Sequence, residues 1–422
     1  MPKTLAEWLT YLESLHPKTI ALGLERVAQG KQRLNLQPDF PIIVVGGTNG
    51  KGSVCAMLES ILHAAGYRVG CYTSPHLLDY NERVRIGKKQ ASDAELCAAF
   101  EKIEQARGDI PLTYFEFGTL AAMQCFIGHK VDVAILEVGL GGRLDAVNVF
   151  DSDCAVVASV DIDHTDYLGD TREQIALEKA GIFRKGRVAI CADSDVPLAI
   201  RAQAQLVGAE LWCIASEFGF IAHQGQWDYR STVGSRSALP YPALRGAFQL
   251  HNASAALASL DALKDRLPVS MDAVRRGLNE VQLAGRFQLV PGKPTLILDV
   301  AHNPHAARSL AQNLASLPEC PQTYGVFAML KDKDMAGVVA ALDPHIDIWL
   351  VAGIAAPRGA TADELAQVLR QRGVRGEIKA FHNVGEALRY ACNAAGENDR
   401  IAAFGSFYTV AEVMVVKGLQ AL

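Results

Sequence analysis

Apolar and polar positions along the chain form blocks that predict strands and helices in turn. A β-branched apolar run at 42–45 has the character of a buried strand, and apolar residues at helical spacing follow over 55–62. Further strands are predicted at 68–72, 131–136, 154–160 and 187–190, and further helices at 92–106, 114–127, 171–180, 249–263 and 270–280. Alternating strands and helices are typical of a mostly parallel sheet, so the pattern predicts an α/β fold.

The pattern restarts near residue 284. Short apolar runs at 295–300, 322–328, 347–351 and 400–404 alternate with helical segments at 304–316, 335–342, 361–371 and 384–393. We therefore expect two domains: a P-loop domain over 1–283, and a smaller Rossmann-like α/β domain over 284–422. Short β-like runs after 211 predict that the first sheet continues into a β-rich flank.

Bulk composition narrows the class of protein. The chain has 422 residues, 50% of them hydrophobic and 21% charged, which is globular composition. A net charge of −5 argues against nucleic-acid binding as the main role. Nine cysteines without a CxxC pair indicate reduced thiols, and no apolar run approaches the ~20 residues of a membrane span. We expect a cytoplasmic monomer that acts on small molecules, with no membrane partner.

The stretch PIIVVGGTNGKGS (41–53) joins a strand, a glycine-rich loop and the start of a helix. Glycines let the backbone approach a phosphate, Lys51 can neutralise it, and the helix N-terminus offers free N–H groups. We expect ATP or GTP here. Only three residues separate Gly46 from Gly50, and Gly52 lies between Lys51 and the hydroxyl of Ser53, so this is a variant P-loop.

Polar side chains follow several predicted strands. Glu137 ends the strand at 131–136, and DIDHTDYLG (161–169) with His164 follows the strand at 154–160. Because the carboxyl ends of parallel strands share one edge, Glu137 should lie beside Lys51. Mg²⁺ prefers oxygen ligands, and the candidate ligands are Ser53, Ser74, Glu137 and His164.

Two further positions stand out. Lys179 lies near the end of a predicted helix. Judged from the sequence pattern alone, its charge complements the helix dipole. In the second domain, DVAHNPHAA (299–307) places Asp299 at a strand end, followed by His302. If this end serves the same nucleotide, the cleft lies between the domains and closure completes the active site.

Eight motifs together resemble the bacterial bifunctional dihydrofolate synthase/folylpolyglutamate synthase family of the Mur ligase superfamily. They occur in family order from about residue 5 to 409. The motifs are GTNGKGS (47–53), TSPHL (73–77), LTYFEFGTL (112–120), LEVGLGGRLDAVN (136–148), DHTDYLG (163–169), EKAGIF (178–183), GRFQ (285–288) and DVAHNPHA (299–306).

The resemblance implies an ATP-dependent amide ligase. In the family, a substrate carboxylate attacks the γ-phosphate of ATP to give an acyl phosphate and ADP, and the amine of L-glutamate then displaces phosphate. The implied substrates are dihydropteroate, reduced folates and L-glutamate, with ATP and two Mg²⁺ ions as cofactors. Positioning and charge neutralisation dominate such chemistry.

The resemblance also assigns residues. Lys51, His164 and Lys179 are the implied catalytic residues, and Ser74, Glu137, His164 and Lys179, the last as a carbamate, are the implied metal ligands. Implied nucleotide contacts are Thr48, Asn49, Gly50, Lys51, Gly52, Ser53, Asn252, Arg286, Asp299 and His302. Implied pterin contacts are Ile20, Ala21, Leu22, Thr113, Tyr114, Phe115, Glu116, Leu144, Asp145 and Ala146. The family pattern has an acidic residue where this chain has Ala21.

Three alternatives remain open at this point. A monofunctional folylpolyglutamate synthase would share nearly all of these motifs. A muropeptide ligase would share the superfamily chemistry, but APRGA (356–360) replaces the DNPR-type motif of the ligase that adds diaminopimelate. A guanine-nucleotide switch would need an NKxD stretch, which KDKD (331–334) does not supply.

Overall fold

The computed structural model describes residues 2–16 and 20–421, which divide into two compact units. The first unit comprises the described residues up to His76, Tyr80–Ala243 and Leu250–Val281. The second comprises Leu77–Asp79, Leu244–Gln249 and the described residues from Gln282 onward. Each unit therefore draws on more than one stretch of sequence.

The secondary structure before residue 282 follows the predicted α/β alternation. The helices are α1 (Leu5–Ser14), α2 (Glu25–Arg33), α3 (Lys51–Ala64), α4 (Asp93–Arg107), α5 (Tyr114–Gly128), α6 (Thr165–Leu168), α7 (Arg172–Ala180), α8 (Leu198–Val207), α9 (Gln249–Ala262) and α10 (Met271–Glu280). The strands are β1 (Ile42–Gly46), β2 (Val69–Tyr72), β3 (Val84–Ile86), β4 (Lys89–Gln90), β5 (Val133–Glu137), β6 (Cys154–Val157), β7 (Val188–Cys191), β8 (Glu210–Cys213), β9 (Phe218–Ala222), β10 (Trp227–Ser231) and β11 (Gly234–Leu239).

The first unit is built around an eight-stranded sheet with the strand order β4-β3-β2-β5-β1-β6-β7-β8. Strands β2, β5, β1, β6, β7 and β8 pair in parallel, whereas β3 and β4 are antiparallel additions at one side. Strand β1 is buried along its whole length and lies between β5 and β6. Its register aligns Val45 with Glu137 and Gly46 with Val157, so the loops after these three strands meet at one edge. The predicted mostly parallel sheet is confirmed.

The β-rich flank differs from the sequence expectation. Strand β8 joins the main sheet, but β9, β10 and β11 form a separate antiparallel sheet. Along β10 the buried residues Trp227 and Tyr229 alternate with more exposed ones, and the hydroxyl of Tyr229 donates to the Asp261 carboxylate on α9 at 2.9 Å. A strand with one covered face suits an antiparallel sheet, whereas the main sheet needs strands that are buried on both faces.

Helix α3 is held in the interior. Every residue from Ser53 to Leu62 is buried, and Gly277 of α10 packs so closely that an added Cβ would lie 2.4 Å from the Ile61 Cα. A helix that is covered on all sides needs mostly apolar residues, as its sequence provides, and the buried Glu59 is paired with Arg85 at 2.9 Å. The P-loop therefore precedes a rigidly placed helix.

The second unit contains one six-stranded sheet in the order β12-β13-β17-β14-β15-β16, parallel except for β12. Its strands are β12 (Gln288–Val290), β13 (Thr295–Leu298), β14 (Thr323–Phe327), β15 (Ile348–Ala352), β16 (Glu377–Phe381) and β17 (Arg400–Phe404). Its helices are α11 (Pro304–Ala315), α12 (Met335–Leu342), α13 (Ala362–Arg372), α14 (Val384–Ala394) and α15 (Phe407–Lys417). The sequence pattern missed β12, β16 and α15; β16 is an edge strand with exposed Glu377, which weakens its apolar signal.

Helices long and apolar enough to cross a bilayer are absent from the described part of the chain.

Candidate active site

The P-loop curls around its own lysine. Lys51 Nζ donates to the carbonyl oxygens of Gly47 at 3.0 Å and of Thr48 at 3.3 Å. Gly50 caps α3 in the left-handed conformation with φ 84°, and an added Cβ there would lie 2.6 Å from Asn252 Oδ1. The buried Asn252 of α9, distant in sequence, therefore lies directly against the loop.

The P-loop is also bonded to the loop that follows β6. Thr48 N donates to the Ser159 carbonyl at 2.8 Å, and the hydroxyl of Thr48 both donates to the Asp161 carbonyl and accepts from Asp161 N at 3.0 Å. Asn49 N donates to Ser159 Oγ at 3.0 Å. Sequence inspection did not single out Ser159, because a lone serine in a loop gives no periodic or motif signal.

Two predicted metal ligands are neighbours at the sheet edge. Glu137 is buried at the end of β5, and its Oε2 accepts a hydrogen bond from Ser74 N at 3.0 Å. The contact forms because β2 and β5 pair in parallel, with Tyr72 beside Leu136. The loop after β2 therefore brings Ser74 to the carboxylate.

His164 has an unusual backbone conformation. It precedes α6 with φ 53° and ψ 43°, and its N–H donates to Asp163 Oδ1 at 2.8 Å. Left-handed conformations are costly for residues other than glycine and occur often at functional sites, where surrounding bonds impose them. His164 is therefore held in place by its loop.

The donors present fit a hard divalent cation. Within residues 2–16 and 20–421, His, Cys, Asp and Glu side chains nowhere cluster in a group of three or more that could hold a metal alone. Mg²⁺ commonly takes only one or two protein ligands and completes its octahedron with water and phosphate oxygens. One buried carboxylate that accepts from Ser74 N, with His164 in the loop after β6 at the same edge of the sheet, suits this partial coordination.

Lys179 is buried in the last turn of α7. Desolvation lowers its pKa to about 7, and the charge of Lys51 adds to this effect, whereas Asp163 and Asp145 oppose it. An exposed lysine that complements the helix dipole would not be desolvated in this way. The neutral amine favoured here is the form that reacts with carbon dioxide, so the residue fits the carbamate role that the resemblance implies.

Hydrogen bonds of Arg26 and Gly23 connect the three segments proposed to contact the pterin. Its guanidinium donates to both carboxylate oxygens of Glu116, at 3.1 and 2.8 Å, and to the Ala21 carbonyl at 2.6 Å. Gly23 N donates to the Leu144 carbonyl at 3.4 Å, which joins 20–22 to 144–146. Sequence reasoning missed Arg26, because an arginine on a helix usually faces solvent.

The other side chains of the segments 113–116 and 144–146 either hold the loops in place or supply apolar surface. Thr113 caps α5 by accepting from Glu116 N at 3.2 Å, and Asp145 accepts from the N–H groups of Leu140 and Val147 at 2.8 and 3.0 Å. These carboxylates and hydroxyls hold the loops. Aromatic rings supply the apolar surface, with Tyr114 in edge contact with Tyr80 and Phe115 against Tyr72.

The second unit has its own cluster at the end of β13. Asp299 accepts from Phe287 N at 2.9 Å and from Ala301 N at 2.8 Å, and burial raises its pKa to about 6 against the opposing charge of Arg286. The Arg286 guanidinium lies 5.1 Å from the centre of the Phe407 ring, and the His302 ring lies 6.2 Å from the same ring. Phe407 was not predicted, since α15 itself was missed.

Comparisons with known proteins agree along nearly the whole chain. The family model of the Mur ligase middle domain matches residues 45–260, and that of the Mur ligase glutamate ligase domain matches residues 285–407. The chain is 46% identical to the dihydrofolate synthase/folylpolyglutamate synthase of Escherichia coli over 98% of this chain and 95% of that protein. It is 41% identical to the protein of the same name from Haemophilus influenzae, over 98% and 97%.

Solved structures give the same result. An E. coli FolC structure in complex with DHPP and ADP matches with a TM-score of 0.94 and 46% identity, covering 99% of each chain. The bifunctional synthase of Yersinia pestis complexed with AMPPNP and Mn ion matches with a TM-score of 0.93 and 47% identity, covering 99% of this chain and 100% of that one. The resemblance inferred from the motifs is thus confirmed, and the chain belongs to the dihydrofolate synthase/folylpolyglutamate synthase family of Mur ligases.

Proposed function

We propose that this chain uses ATP to join L-glutamate to dihydropteroate, forming dihydrofolate, and to reduced folates, forming folylpolyglutamates. The observation that carries the proposal is the placement of three groups in one unit: Val45 of the strand before the P-loop lies beside Glu137, Glu137 binds Ser74 N, and Tyr72 before Ser74 contacts Phe115 of the pterin segments. In each reaction a carboxylate oxygen attacks the γ-phosphorus and ADP leaves. The amine of glutamate then attacks the acyl carbon, and inorganic phosphate leaves.

The residues divide this work between charge and placement. Lys51, once released from its own loop carbonyls, neutralises the phosphoryl group, and the N–H groups at the start of α3 bind phosphate oxygens. Mg²⁺, when bound, supplies further charge neutralisation. We assign Ser74, Glu137 and His164 to one ion and the Lys179 carbamate to a second.

The ligands bound by related proteins suit this arrangement. FolC binds DHPP and ADP, and a bifunctional synthase 47% identical to this chain binds Mn, AMPPNP and L-glutamate. The Tyr114 and Phe115 rings give a flat apolar surface for a pterin ring. In the second unit, Arg286, Asp299 and His302 contribute nucleotide contacts, with Phe407 holding the Arg286 side chain by a cation–π contact.

Phosphate release from ATP with glutamate tests the assignment, measured separately with dihydropteroate, a reduced folate and a muramyl peptide. We expect release with the first two only, with dihydrofolate and an extended folate as products. Extension of the folate without dihydrofolate formation would establish the monofunctional alternative. Release with the muramyl peptide alone would overturn the folate assignment. The monomeric state, the cytoplasmic location and the lack of nucleic-acid partners remain predictions.

A further inference from the structure

The loop over 158–164 connects the nucleotide and metal residues. Its Ser159 and Asp161 hold Thr48 and Asn49 of the P-loop by backbone and hydroxyl hydrogen bonds, and His164 lies three residues farther on. Val160, between Ser159 and Asp161, is buried, and its backbone N–H and carbonyl are hydrogen-bonded to side chains outside this loop. Any shift of Val160 would therefore displace the P-loop contacts and His164 together.

Arg172 and Asp193 hold both backbone groups of Val160. Arg172 Nε donates to the Val160 carbonyl at 2.8 Å, and Val160 N donates to Asp193 Oδ2 at 2.7 Å. Arg172 Nη2 and Asp193 Oδ1 close the arrangement with an ion pair at 2.7 Å. The exposed Asp195 adds a second carboxylate to Arg172 at 2.7 Å. Both backbone groups of one residue, in two successive peptide units, are thus bound by a partly buried ion pair.

We propose that Arg172 and Asp193 are positioning residues for nucleotide and metal, which act by fixing Val160. Arg172 begins α7, the helix that also carries Lys179, so the same side chain ties that helix to the loop of His164. The inference rests on the proposed function, because it requires that the P-loop binds a nucleotide. Groups that orient ligands in this way commonly change affinity about 10- to 100-fold when removed.

A comparable ion pair at the opposite edge of the sheet provides a control, which distinguishes an effect on ligand positioning from a general effect on stability. There Asp153 accepts at 3.0 Å from the N–H of Ile42, the first residue of β1, and pairs with Arg266 at 2.7 Å. This pair also joins an arginine to a carboxylate that binds the backbone at a strand end. It contacts neither the P-loop nor the loop of His164, so Arg266→Met is the control for Arg172→Met.

The experiment measures binding of the fluorescent nucleotide mant-ADP, with and without Mg²⁺, to the full chain and its variants, alongside their melting temperatures. We expect Arg172→Met to weaken mant-ADP binding about tenfold or more, and Arg172→Lys to recover part of the loss. Arg266→Met should lower the melting temperature by a smaller amount, because Asp153 keeps Arg187 as a partner at 3.3 Å, and should keep affinity within about twofold. The Mg²⁺ concentration that supports half-maximal binding should rise in Arg172→Met alone.

Two results would overturn the inference: affinity in folded Arg172→Met within about twofold of the native chain, or an equal loss in Arg266→Met. If Arg172→Met fails to fold, Arg172→Lys is judged by the same comparison. Failure of the native chain to bind mant-ADP would instead overturn the proposed function, so the two failures are distinguishable.

Discussion

We expect Lys51 to contribute charge at the phosphates and little packing. Among residues 2–16 and 20–421, its amine bonds only to carbonyls of its own loop, so we expect the loss of the side chain to leave the core unchanged. We expect Lys51→Ala to lower kcat/KM for both ligations by about 100- to 1,000-fold, the range for loss of one transition-state donor. Steady-state kinetics with each pterin substrate, and a melting temperature near the native value, would check this. Near-normal turnover would contradict the nucleotide assignment.

Lys179 makes stability depend on pH. Its pKa is lowered from 10.5 to about 7 in the folded chain, so between these values the unfolded chain holds a proton that the folded chain has lost. Stability therefore rises with pH across this window and falls as pH drops towards 7. From pH 7 to 9 in buffer free of carbon dioxide, the native chain should gain about 2 kcal/mol of unfolding free energy relative to Lys179→Met. Denaturant unfolding measures it, and a pH-independent difference would contradict it.

We expect Ala21 to affect the reaction of dihydropteroate, the shorter of the two pterin substrates. Its carbonyl accepts from Arg26, which places the residue beside the Glu116 carboxylate and the pterin segments. Ala21→Asp should change kcat/KM for dihydropteroate more than for a reduced folate, by about tenfold if one hydrogen bond of about 1.5 kcal/mol is gained. Measuring kcat/KM of the variant with each substrate tests this prediction. Equal changes for the two substrates would contradict a role of Ala21 in binding dihydropteroate.

At the scale of elements, the turn into α3 depends on Gly50. Its φ of 84° is strained for other residues, and an added Cβ would meet Asn252 Oδ1 at 2.6 Å. We expect Gly50→Ala to cost about 1–3 kcal/mol of unfolding free energy and to weaken ATP binding about 10- to 100-fold. Calorimetry and nucleotide titration measure both quantities.

Gly66, after the other end of α3, supplies the control. Its φ is 96°, but an added Cβ would meet nothing within 4 Å. Gly66→Ala should therefore show the backbone cost alone and leave ATP affinity unchanged. Equal affinity loss in the two variants would show that the contact with Asn252 is unimportant.

At the scale of the whole molecule, the sequence contains one P-loop motif to serve two ligations. The two pterin substrates should therefore exclude each other from the ATP-bound enzyme. With both substrates saturating, total phosphate release should not exceed the faster of the two separate rates. Additive rates would require two independent sites and would contradict the proposal.

The sequence by itself determined the α/β class, most strands and helices, and the family, because buried parallel strands and a glycine-rich phosphate loop need particular residues in consecutive order. Tertiary structure alone decided which distant residues meet. Arg26 with Glu116, Asn252 with Gly50, and Arg172 with Val160 are joined across the fold. Such contacts leave no periodic signal, since each depends on the direction of one side chain after the sheet has formed. The separate sheet of β9–β11 and the burial of Lys179 have the same origin: neighbours far apart in the chain set the exposure of a residue.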